Sequence, residues 1–232
     1  MASCLHQIYA LGTGNRRLYE IADASRGLLV TSLRGLGLLS SESSINSNPD
    51  PIGVDVQKLK SMSSEELEET WIAWKEKEAA KRMAWTVFEF DCTVSTMTSK
   101  KAAFRIAELP SRLPCSENVW EAHSARAWAA LVPFATSSPA GLPFYPTLRE
   151  IIAHGKTTYP APAWALRLCG VAIGSVLYDL KEVQDVSAPG VLGMQSMTQA
   201  YQETRQSLLS GLSSLEASLG KPTCTADVVN MK

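Results

Sequence analysis

The chain has 232 residues, of which 45% are hydrophobic and 19% are charged. This length and composition allow one large domain or two small ones, and they exclude a wholly disordered chain, which would be less hydrophobic and carry more net charge. Because 22 Lys and Arg stand against 23 Asp and Glu, the chain lacks the excess of basic residues with which compact proteins bind nucleic acid.

The cysteines and histidines form no recognisable metal-binding pattern. A zinc finger or a redox motif needs cysteine pairs a few residues apart, whereas the cysteines here are scattered, and His123 beyond Cys115 is too isolated to share a metal with it. We therefore expect free thiols, no metal and no cofactor in this chain. The cysteines are Cys4, Cys92, Cys115, Cys169 and Cys224.

The apolar stretches of the chain do not favour a membrane protein. The first residues lack the basic and apolar regions of a signal peptide. Residues 127–148 are uncharged but broken by prolines, and residues 161–178 contain Arg167, a central charge that costs about 2.5–3.5 kcal/mol on insertion scales. We expect no membrane contact and a buried helix at 161–178.

The N-terminal part predicts an amphipathic helix followed by a loop. Apolar residues recur at helical spacing from Leu18, and Gly35 and Gly37 are typical stop signals. Residues 40–62 are predicted to form an exposed loop, because Ser, Asn, Pro and Gly collect in their first part. The apolar residues of the helix are Leu18, Ile21, Ala22, Leu29, Leu33 and Leu36.

The strongest local signal is a long helix that begins after residue 63. Ser63 and Glu66 form a capping box, and the acidic first turns suit the helix dipole. No Gly or Pro interrupts the pattern before the Thr and Ser run at 93–99, so we predict a helix of roughly 30 residues, far above the usual length of about 11–12. Its apolar stripe is Leu67, Trp71, Trp74, Trp85, Phe88 and Cys92; its polar side is Lys75, Glu76, Lys77 and Lys81.

The remaining patterns are also helical. They predict a short turn at 102–109, a helix from Ser116 through Leu131, a Pro-rich loop at 132–147, which is a candidate contact surface, and helices at 148–154, 163–183 and 194–219. Sustained period-two alternation, the mark of strands, is missing from the sequence. We predict an all-α fold, a single irregular multi-helix domain over residues 1–232 around the long central Trp-rich helix.

The sequence contains no catalytic signature. A G-x-S-x-G elbow and a phosphate-binding G-x-x-x-x-G-K-[ST] loop are both absent. Gly12 and Gly14 fit a turn, His154 fits a helix end, and the acidic residues 65–69 fit a solvated helix start. We therefore predict no catalytic residues and no enzyme.

Glu78 and Arg82 leave two interpretations open. They lie four residues apart on the apolar stripe and so face each other. As a surface pair they would stabilise the helix by about 0.2–0.5 kcal/mol. As a partly buried pair, removal of either partner would cost about 3–5 kcal/mol. In neither case do they form a ligand site.

The stretch from Trp71 to Asp91 resembles the signature of the fungal-specific transcription factor regulatory domain, or middle homology region. That family shows W-x-x-W/F, then E-x-x-x-R-x-x-W/F-x-x-F-x-x-D, and the resemblance extends over about residues 18–128, including an L-R-x-x-G-L pattern at 33–38. The matching residues form the structural family motif: Trp71, Trp74, Glu78, Arg82, Trp85, Phe88, Asp91, Leu113, Pro114, Cys115 and Trp120.

The resemblance implies a nuclear, non-catalytic regulatory domain that controls RNA polymerase II transcription through protein or effector contacts. Implied partners are the transcription machinery or co-regulators and a second copy in a homodimer. Such factors carry a binuclear zinc cluster or two-Cys two-His fingers ahead of this region, which the cysteines and histidines here cannot form. We therefore expect the regulatory part alone, a fragment, with zinc and DNA contact only in a module absent from this chain.

Two alternatives remain open at this point. One is a complete DNA-binding zinc-finger transcription factor whose fingers are missing from this chain. The other is a small helical enzyme whose site would lie in the C-terminal half, where the sequence pattern is least informative. Paired cysteines in an upstream extension of the reading frame would favour the first, and a cleft with a titratable pair would favour the second.

Overall fold

The computed structural model describes residues 2–39, 56–134, 140–187 and 198–219, and it is helical throughout these ranges except for short connections. Within them the β-structure is limited to an isolated antiparallel bridge between Arg112 and Pro143. The predicted all-α fold is confirmed. Its helices are α1 (Ala2–Gly12), α2 (Arg16–Gly35), α3 (Val56–Ser61), α4 (Ser64–Thr98), α5 (Glu117–Trp120), α6 (Ala125–Leu131), α7 (Phe144–His154), α8 (Ala163–Ser187) and α9 (Thr198–Leu219), with 3₁₀ turns at Ile106–Glu108 and Val132–Phe134.

The chain divides into two compact units, Met1–Phe144 and Tyr145–Lys232. The first contains α1 to α6, and the second contains α8, α9 and all but the first residue of α7. The sequence pattern predicts one domain over 1–232, and that remains a prediction.

Helix α4 is the long helix that the sequence predicts, and with 35 residues it is slightly longer than expected. The capping box is formed: Ser63 Oγ accepts from the Glu66 N–H at 3.3 Å, and Glu66 Oε2 accepts from the Ser63 N–H at 2.8 Å. At the other end, Ser99 adopts a left-handed conformation with φ of 54° and its N–H donates to Ser95 O. Both ends therefore satisfy backbone groups that a helix leaves unpaired.

The apolar stripe of α4 contributes to two aromatic clusters in the first unit. Toward the N-terminus, Trp74 packs on Trp120 and Trp128 with ring centroids 6.5 and 5.3 Å apart. Further along, Trp85 meets Phe88 and Phe144 edge-on at 5.8 and 4.9 Å. Edge-to-face rings add about 0.5–1.5 kcal/mol per pair beyond the burial of their apolar area. The indoles of Trp74 and Trp85 are buried as predicted, while Trp71 is half-buried at the end of the stripe.

Two side chains predicted to lie on the polar side of α4 instead make internal contacts. Lys81 Nζ lies 2.5 Å from Glu78 Oε2 and donates to Ala140 O at 2.7 Å. Lys75 Nζ lies over the rings of Trp71 and Trp120, 4.7 and 5.7 Å from their centroids. Long lysine stems can cover apolar surface in this way while the ammonium finds an acceptor or a ring face.

Helix α2 forms where the sequence predicts it, and Ala22 and Leu33 of its predicted apolar stripe are buried, but other members of the stripe are not. Ile21 and Leu36, predicted to face the core, are 51% and 68% exposed, whereas Arg26 and Val30 are buried. Arg26 forms an ion pair with the buried Asp91 of α4. The side of α2 that carries Arg26 and Val30 therefore packs against the interior. Residue type alone would place an arginine on the solvent side, since arginine is seldom fully buried unless it is paired.

Two predicted loops are partly helical. Of the predicted loop at 40–62, residues 40–55 lie outside the described residues and Val56–Ser61 form α3, whose Leu59 is buried. Of the predicted Pro-rich loop at 132–147, residues 135–139 lie outside the described residues, and α7 already begins at Phe144. Pro146 is tolerated there because N–H groups in the first turn have no helical partner.

The predicted helix from Ser116 to Leu131 is in fact two short helices. The helical backbone stops after Trp120 and resumes at Ala125. Ser124 starts the second helix by accepting the Ala127 N–H at 3.2 Å. The break turns α6 so that Trp128 reaches the ring of Trp74, a tertiary contact that local spacing does not reveal.

In the second unit, α8 packs against α9. Glycines allow close approach: a Cβ on Gly211 would lie 3.1 Å from Ile152 Cα, so α9 meets α7 backbone to backbone. Helix α8 is longer than its predicted range of 163–183, and α9 begins at Thr198, since residues 194–197 of its predicted range lie outside the described residues.

Helix α8 also satisfies the length and composition of a membrane span, as do the core helices of many water-soluble proteins. Its buried residues include Leu168, Cys169 and Ile173, and Arg167 is exposed near its beginning. The buried-helix interpretation of this segment remains a prediction.

The packing of α4 yields a first prediction. Trp85→Ala should lower the free energy of unfolding by about 3–5 kcal/mol, since it empties a fully buried site and removes the indole hydrogen bond to Arg112 O. Urea unfolding followed by circular dichroism measures this. As a control, Ile72→Ala on the exposed side of α4 should change stability by less than about 0.5 kcal/mol. A loss below about 1 kcal/mol for Trp85→Ala would contradict the packing described.

Candidate functional site

The family-motif residues lie in two stretches of the first unit, α4 and the segment 113–120. The polar ones do not point to solvent. They bind the backbone of the segment 103–115, which passes along α4. The motif residues on α4 are Trp71, Trp74, Glu78, Arg82, Trp85, Phe88 and Asp91, and those on the segment are Leu113, Pro114, Cys115 and Trp120.

Three side chains of α4 attach the segment 103–115 to the helix at what we call attachment points. The first of them is the carboxylate of Glu78. It is 2% exposed, and Lys81 Nζ and Arg82 Nε lie 2.5 and 3.3 Å from its two oxygens. Its Oε1 also accepts the backbone N–H of Cys115 at 2.9 Å. Of the two interpretations of the Glu78–Arg82 pair, the buried one describes the structure. A buried carboxylate is tolerable only with such partners, because the desolvation of an unpaired ion costs several kcal/mol.

Arg82 extends the same network to the next segment. Its Nη2 donates to Cys115 O at 3.0 Å, and its Nη1 lies 3.0 and 3.1 Å from the two carboxylate oxygens of Glu117. The guanidinium carbon lies 4.8 Å from the ring centroid of Trp120. A planar guanidinium with several donors can stack on an indole and bind acceptors at its edge, which the ammonium of lysine cannot do in the same manner. Arg82 thus fixes both the backbone at Cys115 and the start of α5.

Cys115 is held by its backbone rather than by its thiol. Its N–H donates to Glu78 and its C=O accepts from Arg82, while the side chain is buried. Burial, with a smaller contribution from the nearby Glu78 carboxylate, raises the pKa of the Cys115 thiol to about 12. The thiol is therefore protonated at neutral pH, and a protonated thiol is a poor nucleophile and metal ligand.

Trp85 supplies the second attachment point. Its indole N–H donates to Arg112 O at 2.9 Å. The neighbouring backbone pairs with residues that lead into α7: Leu113 N–H donates to Leu142 O at 2.8 Å, and Phe144 N–H donates to Ser111 O at 2.9 Å.

Gly141 is required by this pairing. It has φ of 83°, and a Cβ there would lie 1.8 Å from Leu113 O. Only glycine permits both the positive φ and so close an approach between two backbone segments.

Asp91 supplies the third attachment point. Its Oδ2 accepts the N–H groups of Ala103 and Phe104 at 2.6 and 3.0 Å, and its Oδ1 lies 2.9 Å from Arg26 Nε. Arg26 also donates to Lys101 O. One buried carboxylate thus ties α2, α4 and the segment after α4 together.

The three attachments follow α4 in order. Glu78, Trp85 and Asp91 lie about two turns apart along the helix, and they bind residue 115, residue 112 and residues 103–104 in turn. The segment 103–115 therefore runs antiparallel to α4. Its irregular backbone has few partners of its own, and buried backbone groups must be paired. The polar motif residues provide that pairing.

The sequence did not predict three residues that take part in the buried network. They are Arg26, Lys81 and Glu117. For Arg26 a signal existed, since it lies four residues after Ala22 and four before Val30, in the middle of an apolar stripe. That is the argument applied to Glu78 and Arg82. Lys81 and Glu117 carried no comparable signal, because their partners depend on how α4 and the segment 113–120 meet.

The chemistry of this network is structural. Its carboxylates are matched by cations and N–H donors, its cysteine is protonated, and no group of three potential metal ligands occurs within residues 2–39, 56–134, 140–187 and 198–219. The side chains of this network hold backbone segments in place.

Comparison with known proteins shows which family the chain belongs to. A family model described as fungal specific transcription factor domain matches residues 2–221. The chain belongs to this family. The match includes both compact units and extends beyond the range of about 18–128 over which the motif resemblance was specific.

Similar proteins are fungal transcription factors. The chain is 33% identical to the nicotinate catabolism cluster-specific transcription factor of Emericella nidulans over 95 residues. These residues make up 41% of this chain and 10% of that protein. It is 29% identical over 120 residues to the transcription factor opdJ of Penicillium oxalicum, 50% of this chain and 14% of that protein. With the transcription factor PfmaH of Pestalotiopsis fici the identity is 26% over 120 residues, 52% of this chain and 11% of that protein.

The matched part of the chain is thus a small fraction of each relative's length. No solved structure matches the chain significantly. Family and relatives together place the chain among the domains found in fungal transcription factors.

The buried carboxylate gives a second prediction. Glu78→Gln should lower the free energy of unfolding by about 3–5 kcal/mol, because it leaves the cations of Lys81 and Arg82 beside a neutral group in a buried site. Chemical unfolding of Glu76→Gln, on the exposed side of the same turn, is the matched control and should differ from the parent by less than about 0.5 kcal/mol. Equal effects of the two substitutions would contradict the buried network.

The cysteines give a third prediction. Burial raises the pKa of both Cys115 and Cys169 to about 12, so at pH 8 both are protonated as well as inaccessible in the folded protein. Alkylation with iodoacetamide at pH 8, read out by peptide mass spectrometry, should leave both unmodified in the native state and modify both in urea. Rapid native-state alkylation of either would show that its surroundings are open.

Proposed function

We propose that this chain is a non-catalytic regulatory module that acts in the nucleus on RNA polymerase II transcription, through contacts with co-regulator proteins or an effector. The observation that carries the proposal is the use of the family motif: its polar side chains hold the backbone of the segment 103–115 against α4. A motif used for internal support leaves recognition to the exposed surfaces of the helices and loops.

The absence of catalysis in this proposal is supported by the chemistry of the buried groups. Glu78 and Asp91 are each bound by cations and N–H donors. A general acid or base needs a cleft in which substrate can reach it and a pKa suited to proton transfer. In the second unit, where the enzyme alternative placed its site, α7, α8 and α9 bury mainly apolar residues, such as Ile151, Leu168 and Leu208.

DNA contact belongs, in this proposal, to a separate zinc-containing module of the kind the resemblance implies. The charges of this chain are balanced, 22 basic against 23 acidic. Sequence-independent attraction to DNA scales with the number of phosphates that basic residues neutralise, so a balanced chain supports at most weak, salt-sensitive binding.

A surface suited to co-regulators lies at the start of the predicted Pro-rich segment. Phe134 is 84% exposed and follows Pro133, and Leu131 is also exposed. Exposed aromatic residues are enriched where proteins bind one another. This surface supports contact with a protein partner, and the partner's identity is open.

A reporter assay tests the regulatory role. The chain, fused to an unrelated DNA-binding domain, should change the output of a reporter bearing that domain's site several-fold relative to the domain alone. Phe134→Ala should reduce this effect, and Tyr159→Ala, a similarly exposed aromatic residue, should not. An output equal to that of the DNA-binding domain alone, with the fusion folded and nuclear, would overturn the proposal.

A binding assay tests the separation of DNA contact from this chain. The purified chain should show no sequence-specific binding in fluorescence anisotropy at physiological salt, and any weak binding should fall steeply as salt rises. Nanomolar binding to one sequence over scrambled controls would mean that the helical units themselves read DNA.

A further inference from the structure

We propose that Trp71 and Trp120 form a binding site for a quaternary ammonium group, and that Lys75 of the same chain occupies this site in the structure. The class of ligand is that of choline or of a trimethylated lysine side chain. The proposal rests on the surroundings of the Lys75 ammonium. It is independent of the regulatory function proposed above, because the binding is measured on the purified chain.

Two indole rings lie beside the ammonium of Lys75. Its Nζ is 4.7 Å from the ring centroid of Trp71 and 5.7 Å from that of Trp120. The face of an indole attracts a cation that lies within about 6 Å of the ring centroid. The two rings are therefore two walls of an aromatic cage, and an alkylammonium group of the chain itself is its occupant.

Only the rings hold Lys75 in this place. Among the described residues, no carboxylate or carbonyl oxygen binds its ammonium. Lys81, further along α4, has Glu78 Oε2 and Ala140 O as partners at 2.5 and 2.7 Å. The ammonium of lysine is compact and strongly hydrated, so it gains little by exchanging water for ring faces at a site that solvent reaches. Another cation can therefore displace it.

The cage is open to solvent. Trp71, Lys75 and Trp120 are all half-buried, so a ligand reaches the ring surfaces once the lysine side chain swings outward. The two tryptophans belong to the family motif, but neither is an attachment point of the segment 103–115. Their rings remain available for a ligand while the attachments along α4 stay in place.

Trp120 is held in position before any ligand binds. Its ring centroid lies 6.5 Å from that of Trp74, and the guanidinium carbon of Arg82 lies 4.8 Å from it. The charge of Arg82 does not exclude a second cation, because carboxylate oxygens of Glu78 and Glu117 lie 3.3 and 3.0 Å from its nitrogens. A wall that is already fixed lowers the ordering cost of binding.

A fully methylated ammonium suits this cage better than lysine itself. Methylation leaves the positive charge in place and removes the N–H donors, so the cation loses fewer hydrogen bonds to water when it enters between two rings. A neutral group of the same shape gains only apolar contact, and an acidic group meets the negative faces of the rings. The ligand class is therefore a permanent cation without N–H donors.

Titration of the full chain with tetramethylammonium, at constant ionic strength, tests the site. In ¹H–¹⁵N spectra the indole signals of Trp71 and Trp120 should shift saturably in the millimolar range, while that of the buried Trp85 stays in place. Sodium ions at the same concentration should cause no such shift. Neither should tert-butanol, an uncharged compound of similar shape.

Variants of the same helix test the internal occupant. Lys75→Ala should tighten the binding of tetramethylammonium about threefold or more, since a competitor that fills the site weakens the apparent affinity by the fraction of sites left free. Lys77→Ala, exposed on the same helix, is the matched control and should leave the affinity unchanged. Trp71→Leu should abolish the saturable shift of the Trp120 signal without changing the circular dichroism spectrum.

Choline and a peptide containing trimethyllysine, titrated in the same way, distinguish the source of the cation. Tighter binding of choline indicates a free ligand, and tighter binding of the peptide indicates a protein-borne one. The absence of a saturable shift with all three cations, an equal shift with tert-butanol, or equal effects of Lys75→Ala and Lys77→Ala would each overturn the proposal. Because Lys75→Ala is tested by a gain of affinity, its result does not depend on the folding of Trp71→Leu.

Discussion

The buried carboxylate of Glu78 is the interaction on which the first unit depends. It lies inside the protein between two cations of its own helix and a backbone N–H from a distant segment. Buried ion pairs often add little net stability, because desolvation offsets their attraction. What this arrangement supplies is position: only one placement of the segment around Cys115 provides the carboxylate with its N–H donor and Arg82 with its carbonyl acceptor.

The same principle is repeated along α4. Trp85 and Asp91 bind backbone groups of the segment that returns antiparallel to the helix. A long helix with a regular apolar stripe would accept an irregular segment in several registers, since apolar packing has no direction. Hydrogen bonds from side chains at fixed intervals select one register. The tryptophans and phenylalanines then fill the space between these points, as the edge-on contacts of Trp85 with Phe88 and Phe144 show.

The internal role of the motif residues bears on the function proposed for this chain. In the proposed function, recognition of a partner or an effector falls to surfaces that the motif does not occupy. Among the exposed apolar residues of the first unit are Phe134 beside the Pro-rich segment and Leu5, Ile8 and Tyr9 on α1.

The sequence by itself determined the features that depend on neighbouring residues. The capping box and the uninterrupted pattern located α4, the lack of alternation indicated an all-α fold, and the spacing of the motif residues identified the family. The tertiary structure alone decided which backbone groups the motif residues bind, that Arg26 and Lys81 turn inward, and that the helix predicted from Ser116 breaks into two. The physical reason is the distance along the sequence over which each feature is decided. Helix caps and periodicity depend on residues within a few turns of one another. A buried charge is placed by partners that are distant in sequence and come close only in the folded chain.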